Sequence, residues 1–323
     1  MTPRVSIITP YRDAAPFLAD AIDSVMAQTA NCWELLLIDD RSRDSSVAIA
    51  REHATRDPRI RLLETSGSTR TGAAAARNVG LAAARGEFVA FLDADDLLLA
   101  DKLDQELRIS EQYPQAALIC GAALWHRYGE ARAYWVDRVR HVPTGLHHPP
   151  GLLERLILLR DDQVPCTCAV LARRDAVMGA DGFEESLVLY EDQSVWVKLF
   201  ARYPAYLGTH LTSVYRQHPK STSAIAERSG DYHRTRLHPA RAAFLNWVEE
   251  YLRSEGLAVA STQRALRLAQ AMLRGDSQEL SSSERIQYVW LIQRDFGRRA
   301  RGRLNALLQR LDSRGQHLSR PQP

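Results

Sequence analysis

Gly86-Glu87-Phe88-Val89-Ala90-Phe91-Leu92-Asp93-Ala94-Asp95-Asp96 is the stretch that decides the fold. Phe88 to Leu92 reads as a strand, and a run of carboxylates stops it. Just upstream lies an Ala-rich helix, Ala73 to Ala84, entered from a polar Gly/Ser/Thr loop over Thr65 to Gly72. Before that loop come three more strands: Val5 to Thr9 ended by Pro10, Leu35 to Ile38 ended by Asp39-Asp40, and Ile60 to Leu63. Helical repeats separate them, with Phe17, Leu18, Ala21, Ile22, Val25 and Met26 in one and Val47, Ala50 and Ala54 in the next, behind a capping Asp44. Downstream, Asp101 opens a helix carrying Leu103, Leu107 and Ile109. This β-α alternation predicts an α/β fold with a parallel sheet covered by helices. In such sheets ligands bind outside the carboxyl ends of the strands. Asp13, Asp39, Asp40, Asp93, Asp95 and Asp96 all follow strands, so topology alone gathers them on one edge. Such a cluster repels itself unless a cation neutralises it, and a divalent metal is the economical answer.

From Leu118 onward the pattern loosens. Strand-like pieces (Leu118–Ala122, Ala169–Leu171) alternate with helices (Leu152–Leu159, Asp192–Arg202). From about Thr235 the chain reads as helical to its end, with apolar repeats at Phe244, Trp247, Val248 and Tyr251, at Leu266 and Leu268, and at Ile286, Val289, Trp290 and Leu291. The domain expectation is therefore 1–225 for the α/β unit and 226–323 for a helical extension.

Composition narrows the function classes. In 323 residues, 45% hydrophobic and 25% charged content is that of a globular protein. No apolar run approaches the roughly 18 residues of a membrane span, and the start does not read as a signal peptide, so a cytosolic location is expected. Cys32, Cys120, Cys166 and Cys168 suggest neither a disulfide framework nor a zinc site. No G-x-G-x-x-G follows the first strand, which disfavours a dinucleotide enzyme. Gly67 and Gly72 have P-loop spacing, but Ala73-Ala74 replace the required Lys and Ser/Thr. The charge is uneven: nine Arg against two Asp from Arg285 to Arg320 give +7, so the rest of the net +3 chain is −4. A basic tail on an acidic body points to an anionic partner.

Asp93-Ala94-Asp95 is the strongest chemical signal. Carboxylates at i and i+2 after a strand can both turn to one hard cation, Mg²⁺ or Mn²⁺, that also holds substrate phosphates. An acidic triplet is more often a helix cap, a job open to Asp96, but Asp39 and Asp40 on the same edge weaken that view.

Val5-Ser6-Ile7-Ile8-Thr9-Pro10-Tyr11-Arg12-Asp13, Glu34 to Asp44, Ala76-Arg77-Asn78-Val79-Gly80, Gly86 to Asp96, Gly182-Phe183-Glu184-Glu185, and Tyr190-Glu191-Asp192 with Trp196 together resemble the family 2 glycosyltransferases. The resemblance covers roughly residues 4–225. It implies a GT-A fold, Rossmann-like with a mixed sheet, and inverting transfer of a sugar from a nucleotide-sugar to an acceptor hydroxyl. It implies that Thr9, Pro10 and Tyr11 line the base pocket, that Asp40 bonds the base and that Asp39 supports the ribose side. Asp95 would hold the metal on the diphosphate, with Asp93 near the ribose or metal. Arg70 and Arg77 are candidate counter-charges near the nucleotide; for Arg77 a structural ion pair stands equally open. Asp192 would be the catalytic base, against the plain alternative of a helix N-terminal carboxylate.

Departures are visible. Arg41 and Arg43 replace the Gly and Thr common in the acidic turn, and Glu184 stands where Asp is common. The Q-x-x-R-W motif of processive synthases is absent, which points to single-sugar transfer. His218, in the segment resembling the one that closes such domains, is read as a loop histidine in preference to a metal or diphosphate contact, and His147-His148 as solvent loop. The expected partners are a nucleotide-sugar, UDP- or similar, and a glycan or lipid-linked acceptor of a cell-surface polysaccharide pathway. Rival readings are a sugar-nucleotidyltransferase, disfavoured because Tyr11 to Pro16 has neither Gly nor Lys, and a non-catalytic nucleotide- or glycan-binding protein. In the tail over 294–323, Phe296, Ala300, Leu304, Leu307, Leu308 and Leu311 share one helical face among arginines. That suits an anionic membrane surface, or packing on the body or a partner; nucleic acid is not expected, because few aromatics accompany the arginines.

Overall fold

The computed structural model describes residues 2–65, 71–128, 134–137, 139–232, 238–294 and 296–297. Its first part follows the alternation read above: β1 (Val5–Tyr11), α1 (Leu18–Met26), β2 (Trp33–Asp39), α2 (Ser46–Arg56), β3 (Ile60–Glu64), α3 (Ala73–Ala83) and β4 (Phe88–Phe91). These strands pair in parallel in the order β3-β2-β1-β4. Leu35 and Leu37 of β2 enter one core cluster, whereas Leu36 and Ile38 enter the other. Both faces of the sheet are therefore buried at β2, which is why the middle of that strand, Leu35 to Ile38, is a continuous apolar run. β1 continues past Pro10 instead of ending there. Its pairing with β4 stops at Ile8↔Phe91, so the proline's missing N–H lies beyond the ladder it would have broken.

The rest makes the sheet mixed. β5 (Leu97–Leu98), α4 (Lys102–Gln112), β6 (Leu118–Arg127), β7 (Tyr134–Asp137) and β8 (Gly145–His147) come first. A π-helix over Leu153–Leu158 and a single 3₁₀ turn, Thr167–Ala169, precede β9 (Val170–Arg173), α5 (Arg174–Met178), α6 (Glu191–Arg202) and β10 (Ala205–Gln217). β9 inserts antiparallel between β4 and β6, and β10 lies parallel to β6. The helix expected over Leu152–Leu159 is thus a π-helix, closed by Leu159 N–H on the Glu154 carbonyl at 2.9 Å.

Gly80 explains how α3 sits. A Cβ there would stand 2.6 Å from Ile8 Cγ2 and 2.9 Å from Ile38 Cδ1. Only glycine lets the helix lie this close on β1 and β2, and that approach brings Arg77, one turn earlier, to the end of β4.

α7 (Thr222–Ser229) spans the 225/226 boundary expected from sequence. The helices after it are α8 (Pro239–Ser254), α9 (Ala260–Arg274) and α10 (282–294). Phe244, Leu245, Val248 and Leu252 of α8 and Ala265, Leu266 and Ala269 of α9 belong to the same core cluster as β4, the π-helix and α6. Two arginines fasten the extension. Arg241 Nη2 donates to the carbonyls of Ile157 (2.6 Å) and Leu158 (3.3 Å), and Arg294 donates to the Leu159 carbonyl at 2.6 Å and pairs with Asp161. Of the third apolar repeat, Leu291 is buried, but Ile286, Val289 and Trp290 are exposed. Within the tail over 294–323, the expectations at Ala300, Leu304, Leu307, Leu308 and Leu311 lie outside the described residues.

Candidate active site

A cleft of about 1210 Å³ opens at the carboxyl ends of β1 and β4 and runs between them and the start of α6. Pro10, Tyr11, Asp40, Arg77, Asp93, Asp95 and Asp192 border it. Thr9 and Asp39 are not among the described residues that do, and both are buried. Burial, then Asp39 and Glu64, push the Tyr11 phenol up, so it stays protonated. Asp40 turns toward the loop that follows β3: Oδ1 accepts from Thr71 N–H (2.8 Å) and Thr71 Oγ1 (3.0 Å), and Oδ2 accepts from Gly72 N–H (3.0 Å). Asp40 therefore holds the entrance of α3 as well as facing the cleft. Arg70 lies outside the described residues.

The carboxylates after β4 are each handled differently. Asp93 accepts from Arg77 Nη2 at 2.5 Å. Asp95 Oδ2 lies 2.8 Å from His218 Nε2. Asp96 is buried at 1% exposure and accepts the Arg216 N–H at 2.8 Å. Burial, then Asp95 and Asp93, hold the Asp96 carboxyl well above the usual carboxylate range. Arg216 also donates through Nε to the Asp95 carbonyl and through Nη1 to Asp20 (2.8 Å), so the end of β10 locks this turn. His218 is thus part of the site, not a plain loop histidine. Its ring packs 4.6 Å from that of Phe17. Sequence reading undervalued it because the strand that delivers it, β10, was not legible.

α6 supplies the opposite wall. Val195, Trp196, Leu199 and Phe200 face the core, which fixes the helix and leaves its first turn toward the cleft. Tyr190, the N-cap, is in the left-handed region (φ 69°). Asp192 Oδ1 accepts from Gln193 N–H at 2.7 Å, and Oδ2 lies 3.4 Å from Thr167 Oγ1. Burial raises the Asp192 carboxyl, with Arg77 opposing. Glu191 accepts from Arg77 Nη1 at 3.2 Å, and burial, then Asp192, push it up to about 7. The buried Arg77 guanidinium therefore ties the turn after β4 to the start of α6, two places 98 residues apart in the chain.

Among the described residues, no group of three or more His, Cys, Asp or Glu side chains is arranged to hold a metal. Asp95 and His218 together offer one oxygen and one nitrogen ligand at the cleft, while Asp93 is engaged by Arg77. Two protein ligands suit a divalent cation that takes its remaining ligands from substrate phosphates.

The uncharacterized glycosyltransferase EpsJ of Bacillus subtilis is 30% identical over 252 residues, 76% of this chain and 71% of that one. WfgD of Escherichia coli, a UDP-Glc:alpha-D-GlcNAc-diphosphoundecaprenol beta-1,3-glucosyltransferase, is 43% identical over 103 residues, 32% of this chain and 39% of its own length. In structure, Staphylococcus aureus TarS 1-349 in complex with UDP-GlcNAc superposes with a TM-score of 0.63 at 17% identity, covering 90% of this chain and 80% of that one, which establishes the GT-A fold. The model of the family described as Glycosyl transferase family 2 matches residues 6–179, and this chain belongs to that family.

Proposed function

We propose that the chain is an inverting, non-processive glycosyltransferase that moves one hexose-type sugar from a nucleotide-sugar to a hydroxyl of a glycan or lipid-linked acceptor, in the assembly of a cell-surface polysaccharide. The observation that carries this reading is the placement of Asp192 across one cleft from Asp93 and Asp95. The acceptor hydroxyl gives its proton to Asp192 as its oxygen bonds to the anomeric carbon. The bond from that carbon to the diphosphate oxygen breaks on the opposite face, and the nucleoside diphosphate leaves with the electron pair. Attack opposite the leaving group inverts the carbon. Asp95 and His218 would hold Mn²⁺ or Mg²⁺, which supplies Lewis-acid stabilisation of the leaving diphosphate. Pro10, Tyr11 and Asp40 would face the nucleobase and ribose. The UDP-Glc donor and lipid diphosphate acceptor in the name of WfgD, and the UDP-GlcNAc bound by TarS, support the choice of a uridine nucleotide and of a surface glycan.

Among the described residues no helix is long and apolar enough to cross a membrane. Ile286, Val289 and Trp290 on α10, with Phe296, are exposed and apolar, and they shortly precede the basic tail in the sequence. This supports peripheral contact of the tail with the anionic inner face of a membrane.

The test is Asp192→Asn, assayed for transfer from a panel of UDP-sugars and for nucleotide binding. Turnover should fall by roughly 10²–10⁴-fold, the usual contribution of a positioned base, while nucleotide affinity stays near wild type because the group acts in the transition state. Near-normal turnover in Asp192→Asn would overturn the assignment.

A further inference from the structure

The two oxygens of Asp192 are held unequally. Oδ1 accepts the Gln193 N–H at 2.7 Å, a bond within the first turn of α6. Oδ2 has the Thr167 hydroxyl at 3.4 Å, from a different element. A short bond from an N–H stabilises charge on the oxygen it reaches, so Oδ2 is the freer and more basic of the two. Thr167 therefore stands beside the oxygen better suited to take a proton.

Thr167 opens the 3₁₀ turn that leads into β9. The turn closes with the Ala169 N–H on the Cys166 carbonyl at 2.9 Å, and Cys168 and Ala169 are inaccessible to solvent. β9 runs between β4 and β6, so the turn is fixed to the middle of the sheet. Thr167 is 8% exposed and borders the cleft. In a short turn a Thr hydroxyl commonly bonds nearby backbone. Among the described residues, Thr167 Oγ1 bonds no backbone group and has Asp192 as its hydrogen-bond partner. A hydroxyl next to an ionised carboxylate donates, because the carboxylate only accepts. The charged and titratable groups around Asp192 are Arg77 of α3, Asp93 after β4, Glu191 beside it on α6, the Tyr190 phenol and the Cys166 thiol. Arg77 spends its hydrogen bonds on Asp93 and Glu191, so it attracts Asp192 without fixing the rotation of that carboxylate.

We propose that Thr167 is a positioning residue for the base: its hydroxyl fixes the rotation of the Asp192 carboxylate, so that Oδ2 is the oxygen that receives the acceptor's proton. This deepens the glycosyltransferase reading and rests on Asp192 as its base. Thr167 keeps its own proton throughout. The acceptor's proton ends on Oδ2, the acceptor oxygen bonds to the anomeric carbon, and the diphosphate leaves with the electron pair. The 3.4 Å separation is that of the substrate-free cleft, and such bonds tighten once substrate is bound.

The experiment compares Thr167→Val, which keeps the shape and removes the hydroxyl, with Thr167→Ser, which keeps the hydroxyl. UDP release from a panel of UDP-sugars is measured in the full chain with water as the acceptor, and UDP affinity by calorimetry. Thr167→Val should lower kcat roughly tenfold, the scale of one hydrogen bond to a charged group, with UDP affinity unchanged. Thr167→Ser should restore most of it. The second readout is the Asp192 carboxyl itself, titrated by carbon-13 NMR in aspartate-labelled chain and assigned by its loss in Asp192→Asn. The bond favours the ionised form, so Thr167→Val should move that titration to higher pH and Thr167→Ser should return it. In an Asp192→Asn background, adding Thr167→Val should change turnover little. A titration unmoved by Thr167→Val overturns the proposal. So does a Thr167→Ser chain as impaired as Thr167→Val, which would make Thr167 a packing residue. Near-normal turnover in Asp192→Asn, or no UDP release from any donor, falls on the transfer reading instead, and the carboxyl titration still decides on Thr167.

Discussion

Replacing Arg77 by Met tests how the two walls of the cleft are joined. The guanidinium is 3% exposed and touches Asp93 at 2.5 Å and Glu191 at 3.2 Å, whose side chains are 30% and 21% exposed. Methionine keeps most of the bulk and removes the cation that pairs with both of those carboxylates. Breaking a buried pair from one side costs about 3–5 kcal/mol, because a charge is left uncompensated. Partial solvation of both carboxylates places the loss toward the low end, about 3 kcal/mol. The sign with pH follows from linkage. Arg77 lowers the Glu191 and Asp192 carboxyls, so its removal raises both further above their unfolded values. Raised carboxyls contribute stability that is present below the unfolded value and lost as pH rises through the folded one. With Glu191 already at about 7, Arg77→Met should be most destabilised above neutral pH and nearer wild type at pH 5. The same shift moves the acid limb of kcat to higher pH, since Asp192, the base proposed above, accepts a proton only when ionised. Urea unfolding and pH–rate profiles read the two effects. Equal stability losses at low and high pH, or an unmoved acid limb in a folded variant, would refute the reasoning.

Other consequences are checked in the same way. Lys102 and Glu106 form an ion pair on α4 that is wholly inaccessible to solvent, 2.7 Å long, with Lys102 also 3.3 Å from the Val170 carbonyl. Lys102→Met should cost about 3–5 kcal/mol in urea unfolding, and adding Glu106→Leu should recover most of it; an additive double mutant would show that the pair is not the cause. Deleting residues 298–323 should abolish salt-sensitive sedimentation with anionic vesicles while sparing transfer to a soluble acceptor, and unchanged sedimentation would place membrane contact elsewhere.

The parallel half of the sheet was legible because β1, β2 and β4 are buried on both faces and helices make the crossovers between its strands. Arg41 shows how far the acidic turn could be read. It stands at φ 66° where the family commonly has glycine, and its Nη2 donates to the Thr65 carbonyl at 2.8 Å, a bond glycine could not make. The mixed half was not legible for three reasons. β10 is thirteen residues long but polar and interrupted, with register shifts between Leu207 and Ser213. The apolar run over Leu152–Leu159 fits α and π windings equally. The ion pairs of Arg77 join residues whose proximity depends on the whole sheet order. For the same reason the ion pair of Glu191, next to Asp192, with Arg77 was not foreseen. A Glu191→Gln variant is therefore a perturbation of the wall and not a neutral control.

The carboxylate edge leads to the last prediction. Sequence reasoning called on a divalent metal to neutralise this edge, since so many like charges repel, and the family resemblance placed it on Asp95 with Asp93 near the ribose or metal. In the folded chain much of that charge is neutralised internally. Arg77 takes Asp93 and Glu191, and Asp96 is held above the ordinary carboxylate range, where protonation relieves it. Asp95 and His218 are then the side chains best placed for a cation. Two protein ligands hold Mg²⁺ or Mn²⁺ weakly, because the remaining positions are filled by water that binds as well elsewhere. A diphosphate adds oxygens and negative charge at the same place, so each partner should strengthen the other. Linkage requires the strengthening to be reciprocal, and typical couplings of about 1–3 kcal/mol correspond to roughly 5–150-fold. Titration of Mn²⁺ into the chain alone should give weak binding, and UDP should tighten it by a factor in that range; Mn²⁺ should tighten UDP by the same factor. His218→Ala and Asp95→Ala should each erase the coupling while Asp93→Asn, which leaves both ligands in place, retains much of it. Mn²⁺ binding that is equally tight without UDP, or UDP binding indifferent to EDTA, would show that the metal is not held between Asp95, His218 and the diphosphate.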